Sequence, residues 1–138
     1  MVNRLQGKIA IVSGGATGMG GAASKLFAEE GAAVGIIDRN VEAGQAVADE
    51  LMAAGHKVIF AEADVSKTDQ VEAAVAKVRD ELGPVNVLFN HAGTIVIKPF
   101  LETTDEEWDD LFAINVRSQF LMTRAVLPMM IEQGKGSI

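Results

Sequence analysis

A chain of 138 residues, 49% hydrophobic and 22% charged, has the composition of one compact globular domain, which sets aside disorder and fibrous structure. A formal net charge of −7 without any basic stripe opposes nucleic-acid binding, and the lack of cysteine excludes disulfides, thiolate catalysis and thiolate metal sites. No apolar run approaches the roughly 20 residues of a membrane helix, and Met1 to Lys8 lacks the apolar centre and cleavage site of a secretory leader; a soluble, cytoplasmic protein with no membrane, nucleic-acid or metal partner is therefore expected.

Ile9 to Val12 is a short apolar run closed by Ser13, Gly14 and Gly15, the pattern of a strand buried on both faces and ended by a turn. Ala22, Ala23, Leu26 and Phe27 then recur at helical spacing, and Gly31 stops that helix. Val34 to Ile37 reads as a second buried strand ending at Asp38. Asn40 is placed to cap a helix with the stripe Ala43, Ala46, Val47, Leu51 and Ala54, and Gly55 follows it. Val58 to Ala61 is a third strand ending near Asp64. Ser66 then starts a helix whose seam is Val71, Val75, Val78 and Leu82, stopped by Gly83-Pro84. Val85 to Phe89 is the fourth strand, followed by a loop from Asn90 to Thr103. Thr104 and Glu107 have the spacing of a capping box, so a long helix is expected from about Asp105 to Ile131, with Pro128 near its end. Gly134 to Gly136 breaks it, and Ser137-Ile138 reads as the first step of a fifth strand.

Strands alternating with helices imply parallel pairing through right-handed crossovers. The expected fold is α/β, a doubly wound parallel sheet of Rossmann type with strand order 3-2-1-4, comprising the N-terminal four strands and the start of a fifth. Strand four would then be an apolar sheet edge, which soluble proteins seldom leave uncovered. Residues 1–138 are accordingly expected to form a single domain, incomplete at its C-terminal end.

The strongest chemical signal is Ser13-Gly14-Gly15-Ala16-Thr17-Gly18-Met19-Gly20, lying between the first strand and the first helix. Glycines there let the backbone turn tightly and approach a pyrophosphate, while free amides and the positive end of the helix dipole stabilise its charge. Gly18, Gly20 and Ala23 also satisfy G-x-G-x-x-A, but the strand ends at Ser13, so the first turn-forming glycine is Gly14 and the fitting spacing is G-x-x-x-G-x-G. That spacing, preceded by Ser13, resembles the nucleotide-binding motif of the short-chain dehydrogenase/reductase family.

The resemblance extends along nearly the whole chain. It implies that Ser13, Gly14, Ala16, Thr17, Gly18, Met19 and Gly20 surround the pyrophosphate. Asp38 ends the second strand close to the roughly 20-residue offset of an acidic residue that binds the adenosine ribose. Its carboxylate can accept from the ribose hydroxyls and would repel a 2′-phosphate, which favours NAD; neighbouring Arg39 could accommodate that phosphate and keeps NADP as the alternative. Asp64-Val65 is similar to the family pair that borders the adenine. Asn90-His91-Ala92-Gly93 matches the family's Asn-Asn-Ala-Gly at Asn90, Ala92 and Gly93, implying that the small residues make room for the nicotinamide ribose while Asn90 pins neighbouring strands. His91 departs from the pattern, and the family gives that position no acid-base duty.

Asn115 resembles the helix asparagine that supports the family's catalytic machinery through a water leading toward a lysine, the one catalytic position found on this chain. The family's remaining catalytic groups are a Ser, a Tyr and a Lys four residues after the Tyr. This sequence contains no Tyr, and the resemblance puts all three groups beyond Ile138. The expected function is that of an oxidoreductase moving a hydride between NAD(H) and a small-molecule alcohol or carbonyl. The 105–131 helix is expected to contribute to a homo-oligomer interface. A non-catalytic dinucleotide-binding module is the alternative.

Overall fold

The computed structural model describes residues 3–138. Met1 and Val2, which open the segment read for a leader, lie outside them. Four parallel strands, β1 (Ile9–Ser13), β2 (Ala33–Asp38), β3 (Val58–Glu62) and β4 (Val87–Asn90), stand in the order β3-β2-β1-β4. That is the expected order, with the reversal between β1 and β4. Because side chains alternate along a strand, β1 sends Ala10 and Val12 to one face and Ile11 to the other, and each face builds its own core. Helices α1 (Gly18–Glu29) and α2 (Val41–Ala53) cover the Val12 face together with Val34, Ile36 and Phe60. Helices α3 (Thr68–Leu82) and α5 (Ser118–Gln133) cover the Ile11 face with Ile37, Val78, Leu88 and Met122.

The helix faces differ from the expected stripes in an instructive way. In α1 the buried residues are Gly20, Gly21, Ser24 and Ala28, while Leu26 is exposed. In α2 they are Gly44, Ala48 and Leu51, and Ala46 is exposed. Small residues let these helices lie close to the sheet: a Cβ on Gly44 would fall 2.1 Å from the Phe60 ring, and one on Gly35 of β2 would fall 2.5 Å from Val78. Ser24 can be buried because its hydroxyl donates to the carbonyls of Gly15 and Gly20.

Both expected caps form. Asn40 Oδ1 accepts from the amide of Ala43 at 3.0 Å, and Thr104 and Glu107 complete a reciprocal capping box. Helix α3 starts later than expected, at Thr68, because the Ser66 hydroxyl donates to Asp64 Oδ1 and turns the chain before the helix begins. The long helix expected over 105–131 is continuous but uneven: α4 (Asp105–Phe112) passes through a π-helical segment, Ala113–Arg117, into α5. Pro128 lies inside α5, which ends at Gly134 in the left-handed conformation.

The sheet edges are handled differently. At the β3 edge, Lys77 donates its ammonium to the Phe60 carbonyl at 2.8 Å. At the β4 edge, Ser137 forms the parallel bridge expected of an incipient fifth strand, exchanging hydrogen bonds with Asn86 and Leu88 at 3.0 and 2.9 Å.

Candidate cofactor cleft

The loop after β1 turns where the backbone has few alternatives. Gly14 has φ of +66° and donates its amide to the Ile37 carbonyl at 2.8 Å, and a Cβ there would sit 2.9 Å from Ala92 Cα. Ser13, buried beneath this turn, ties the two glycine-bearing loops together. Its hydroxyl accepts from the amides of His91 and Ala92, each at 3.1 Å, and donates to the Phe89 carbonyl at 3.4 Å. At Gly20 the constraint is packing, since a Cβ would lie 2.0 Å from the Gly14 carbonyl oxygen. Gly18 contrasts with both: its φ is +55°, yet nothing lies within 4 Å of where a Cβ would point. No acidic side chain occupies the first turn of α1 and Thr17 makes no side-chain cap, while the Asp38 carboxylate stands beside that end of the helix, accepting from the Ala16 amide.

Between the loops lies a cleft of about 330 Å³ at the carboxyl ends of the strands, beside the point where strand order reverses. Of the residues singled out in the sequence, Gly14, Thr17, Gly18, Met19, Asp38, Arg39, Asp64, Val65, Ala92 and Gly93 line it. Ala63, His91, Thr94 and Ile114 line it as well. Ala63, Thr94 and Ile114 carry no motif; only the strand-end and loop positions of their neighbours could have suggested them.

Ser13, Ala16, Gly20, Asn90 and Asn115 act from outside that lining. The Ala16 amide donates to Asp38 Oδ2 at 3.1 Å, while Asp38 Oδ1 accepts from the Asn40 amide at 3.0 Å. Each carboxylate oxygen keeps a further lone-pair direction. Asn90 reaches Thr123 of α5 through its side-chain amide at 3.4 Å. Pinning one strand to the next, the duty expected of Asn90, belongs to Ser13 and to Asn86, whose Oδ1 accepts from the Ile9 amide at 3.0 Å. Asn115 sits in the π segment with its side chain paired to both backbone groups of Thr94, accepting at 2.7 Å and donating at 2.8 Å. Its side chain is thus held by the backbone of Thr94. Gly93 is the neighbour that makes room, because a Cβ there would meet Asn115 Oδ1 at 3.0 Å.

On the far wall, Asp64 Oδ1 accepts from the hydroxyl and the amide of Ser66 at 2.7 and 2.9 Å. The Ser66 hydroxyl, joined by the Ser66 amide, holds the Asp64 carboxyl below its ordinary value against partial burial, and the nearby cations Lys67 and Arg39 add to the effect. His91 stacks on Phe89 with ring centroids 5.3 Å apart, and its Cδ2 lies 2.6 Å from the place a Gly20 Cβ would take. It therefore fills the space between β4 and the glycine loop. Among the described residues, no helix is long and apolar enough to cross a membrane, and no group of three or more His, Asp or Glu is placed to hold a metal ion.

The strand order, with a glycine loop joining β1 to α1 at the carboxyl edge of the sheet, defines a doubly wound domain of Rossmann type. A sequence model of the family described as short chain dehydrogenase matches residues 8–138, and the chain belongs to that family. It is 40% identical over 138 residues to the 2,5-dichloro-2,5-cyclohexadiene-1,4-diol dehydrogenase of Sphingobium indicum, covering 100% of this chain and 55% of that protein. It is 40% identical over 137 residues to a cyclopentanol dehydrogenase of Comamonas testosteroni, covering 99% and 55%. A solved dehydrogenase/reductase from Sinorhizobium meliloti 1021 superposes with a TM-score of 0.87 at 35% identity, covering 92% of this chain and 51% of that one. The chain spans about half the length of the curated relatives it matches.

Proposed function

We propose that residues 1–138 are the dinucleotide-binding part of an oxidoreductase that uses NAD(H) and acts on a small-molecule alcohol or carbonyl. The observation that carries this reading is the pairing of open space at Gly18, at the N-terminus of α1, with the Asp38 carboxylate at the end of β2. A pyrophosphate fits the first and ribose hydroxyls the second. The nicotinamide ring, when bound, supplies the hydride acceptor or donor. The chain's own residues do the binding and positioning. Amides of the Gly14–Gly20 loop and the α1 dipole stabilise the pyrophosphate charge, and Asp38 accepts from the adenosine ribose. Asp64 and Val65 border the adenine, while Asn90, Ala92 and Gly93 shape the nicotinamide side. Asn115 supports that side by fixing Thr94.

Proton transfer needs an acid with a tuned pKa and a group to orient the carbonyl. We assign these to the Ser, Tyr and Lys that the resemblance implies, lying outside this chain in a longer protein. Support comes from β4, whose outer edge is paired at a single bridge, and from relatives nearly twice as long. The exposed apolar face of α4 and α5, with Phe112, Phe120 and Ile131, is assigned to a second copy of the protein.

NADP(H) is the second reading, and Arg39 at the same cleft favours it. The two separate on one substitution. In the full-length protein, Asp38→Ala should shift cofactor preference toward NADP(H) by removing the repulsion of a 2′-phosphate and leaving Arg39 to pair with it. A wild-type protein that already prefers NADP(H) refutes the assignment to Asp38.

A further inference from the structure

The π segment between α4 and α5 holds more than Asn115. Two residues later, Arg117 turns to the other side of the cleft. Its guanidinium donates through Nη1 to the carbonyl of Ser66 and through Nη2 to the hydroxyl of Thr68 at 3.3 Å. Ser66 is in turn the residue that fixes Asp64, by donating both its hydroxyl and its amide to Oδ1. The Asp64 amide is occupied as well, donating to Gln70 Oε1 at 2.7 Å. One helical segment thus grips both walls, Asn115 at Thr94 and Arg117 at Ser66.

Residues two apart on a helix lie on nearly opposite faces, so Asn115 and Arg117 serve loops on opposite sides of the segment. Arg117 has no acidic partner among the described salt bridges. Its planar fork spends two donors on a backbone carbonyl and a hydroxyl, a geometry that fixes a loop's shape and that a point-like ammonium reproduces only in part.

We infer that Arg117 is a positioning residue for the adenine end of the cofactor: through Ser66 it sets where the Asp64 carboxylate points and holds the Asp64–Thr68 wall closed on the cleft. The inference rests on the proposed dinucleotide reading and on the role given there to Asp64. Asp64 Oδ2 and the Val65 backbone are the groups left to face an adenine, and both move if the Ser66 carbonyl is released. The nicotinamide side is held separately, by Asn115, so loss of Arg117 should be felt at one end of the ligand only.

The test uses the full-length protein, with ADP-ribose binding followed by calorimetry and steady-state kinetics measured alongside. Arg117→Ala should raise the Kd for ADP-ribose and the KM for the dinucleotide about tenfold, with kcat at saturating cofactor within about twofold of wild type. Arg117→Lys should recover part of the loss, having one donor direction to the Ser66 carbonyl. Ser66→Ala, which removes the hydroxyl bond to Asp64 and keeps the Ser66 amide and carbonyl, should raise both constants in the same direction by less and leave kcat alone. An ADP-ribose Kd unchanged in Arg117→Ala overturns the inference, as does a fall in kcat equal to the rise in KM. If Arg117→Ala does not fold, Arg117→Met, which keeps the length of the side chain without its donors, decides in its place by the same readouts. A wild-type protein that binds ADP-ribose, NAD(H) and NADP(H) not at all overturns the dinucleotide reading itself, an outcome distinct from the others.

Discussion

The two sides of the sheet's midline are built to different standards of closure. On the β3-β2-β1 side, α1 and α2 meet the strands through Gly20, Gly21, Ser24, Gly44 and Ala48, and the strand residues between them, Val12, Val34 and Ile36, have no exposed surface. On the β4 side, Phe89 is 37% exposed, and the helical stretch from α4 to α5 leaves Trp108, Phe112, Val116, Phe120 and Ile131 in contact with solvent, the last at 71%. Ile95, Ile97, Phe100 and Leu101 of the loop before α4 are more open still, Leu101 at 94%. The first side satisfies its own physical requirements. The second carries more apolar surface than one sheet face can use, and that surplus is why a second copy and a longer protein enter the proposal.

The largest effect is expected from truncating a side chain in the closed half. Ile36→Ala should cost roughly 2–5 kcal/mol in chemical unfolding, because close packing leaves a cavity that cannot collapse. A loss below about 1 kcal/mol would show that the tightly packed side is not the stable one.

A second contrast lies inside the glycine loop. Gly18→Val puts its Cβ in open space, and the strain of a β-branched residue at a φ of +55° should lower stability without unfolding the domain, yet it should weaken dinucleotide binding at least about a hundredfold, equivalent to about 2.7 kcal/mol. Gly20→Ala drives a methyl into the Gly14 carbonyl and should instead lower thermal stability. Unchanged cofactor affinity in Gly18→Val would sink the phosphate-site reading of this loop.

On the open side, Ile131→Gln should change the stability of the dissociated protein by no more than about 0.5 kcal/mol. It should nevertheless shift the self-association equilibrium in sedimentation toward smaller species. A protein monomeric at every concentration, with or without the substitution, refutes the assignment of this face to a second copy.

The smallest expected effect is on acid stability. Because the Ser66 hydroxyl depresses the Asp64 carboxyl in the folded state, its contribution is complete above the ordinary carboxylate range and is lost as pH falls through the depressed value, below about pH 4. Ser66→Ala should move the Asp64 titration upward in carboxyl-detected NMR and flatten the acid limb slightly. A titration that stays put would assign the depression to the Ser66 amide, with Lys67 and Arg39, instead.

Much of the fold is legible in the sequence alone, because apolar strand runs, glycine stops and the caps at Asn40 and Thr104 act locally. The glycine loop and Asp38 are legible for the same reason: their chemistry needs particular residue types at fixed spacing. The features that escape are set by tertiary contact. Periodicity reads apolar residues and passes over glycine and serine, so it puts Leu26 and Ala46 on the stripes while Gly20, Gly21 and Ser24 of α1 and Gly44 of α2 are among the residues actually buried. The π segment leaves no trace in a continuous helical pattern, and its grip on Thr94 and Ser66 exists only once two loops are brought beside it. Ala63, Thr94 and Ile114 line the cleft through position alone.

In the proposed reading, Asp38, facing a glycine loop with room at Gly18, makes this a site for a dinucleotide without a 2′-phosphate. The most direct measurement is a pair of fluorescence titrations of the full-length wild-type protein, one with NADH and one with NADPH, at the same ionic strength. Saturable binding of NADH should be at least about tenfold tighter than that of NADPH, a difference of about 1.4 kcal/mol. Tighter binding of NADPH, or no saturable binding of either, would contradict the claim.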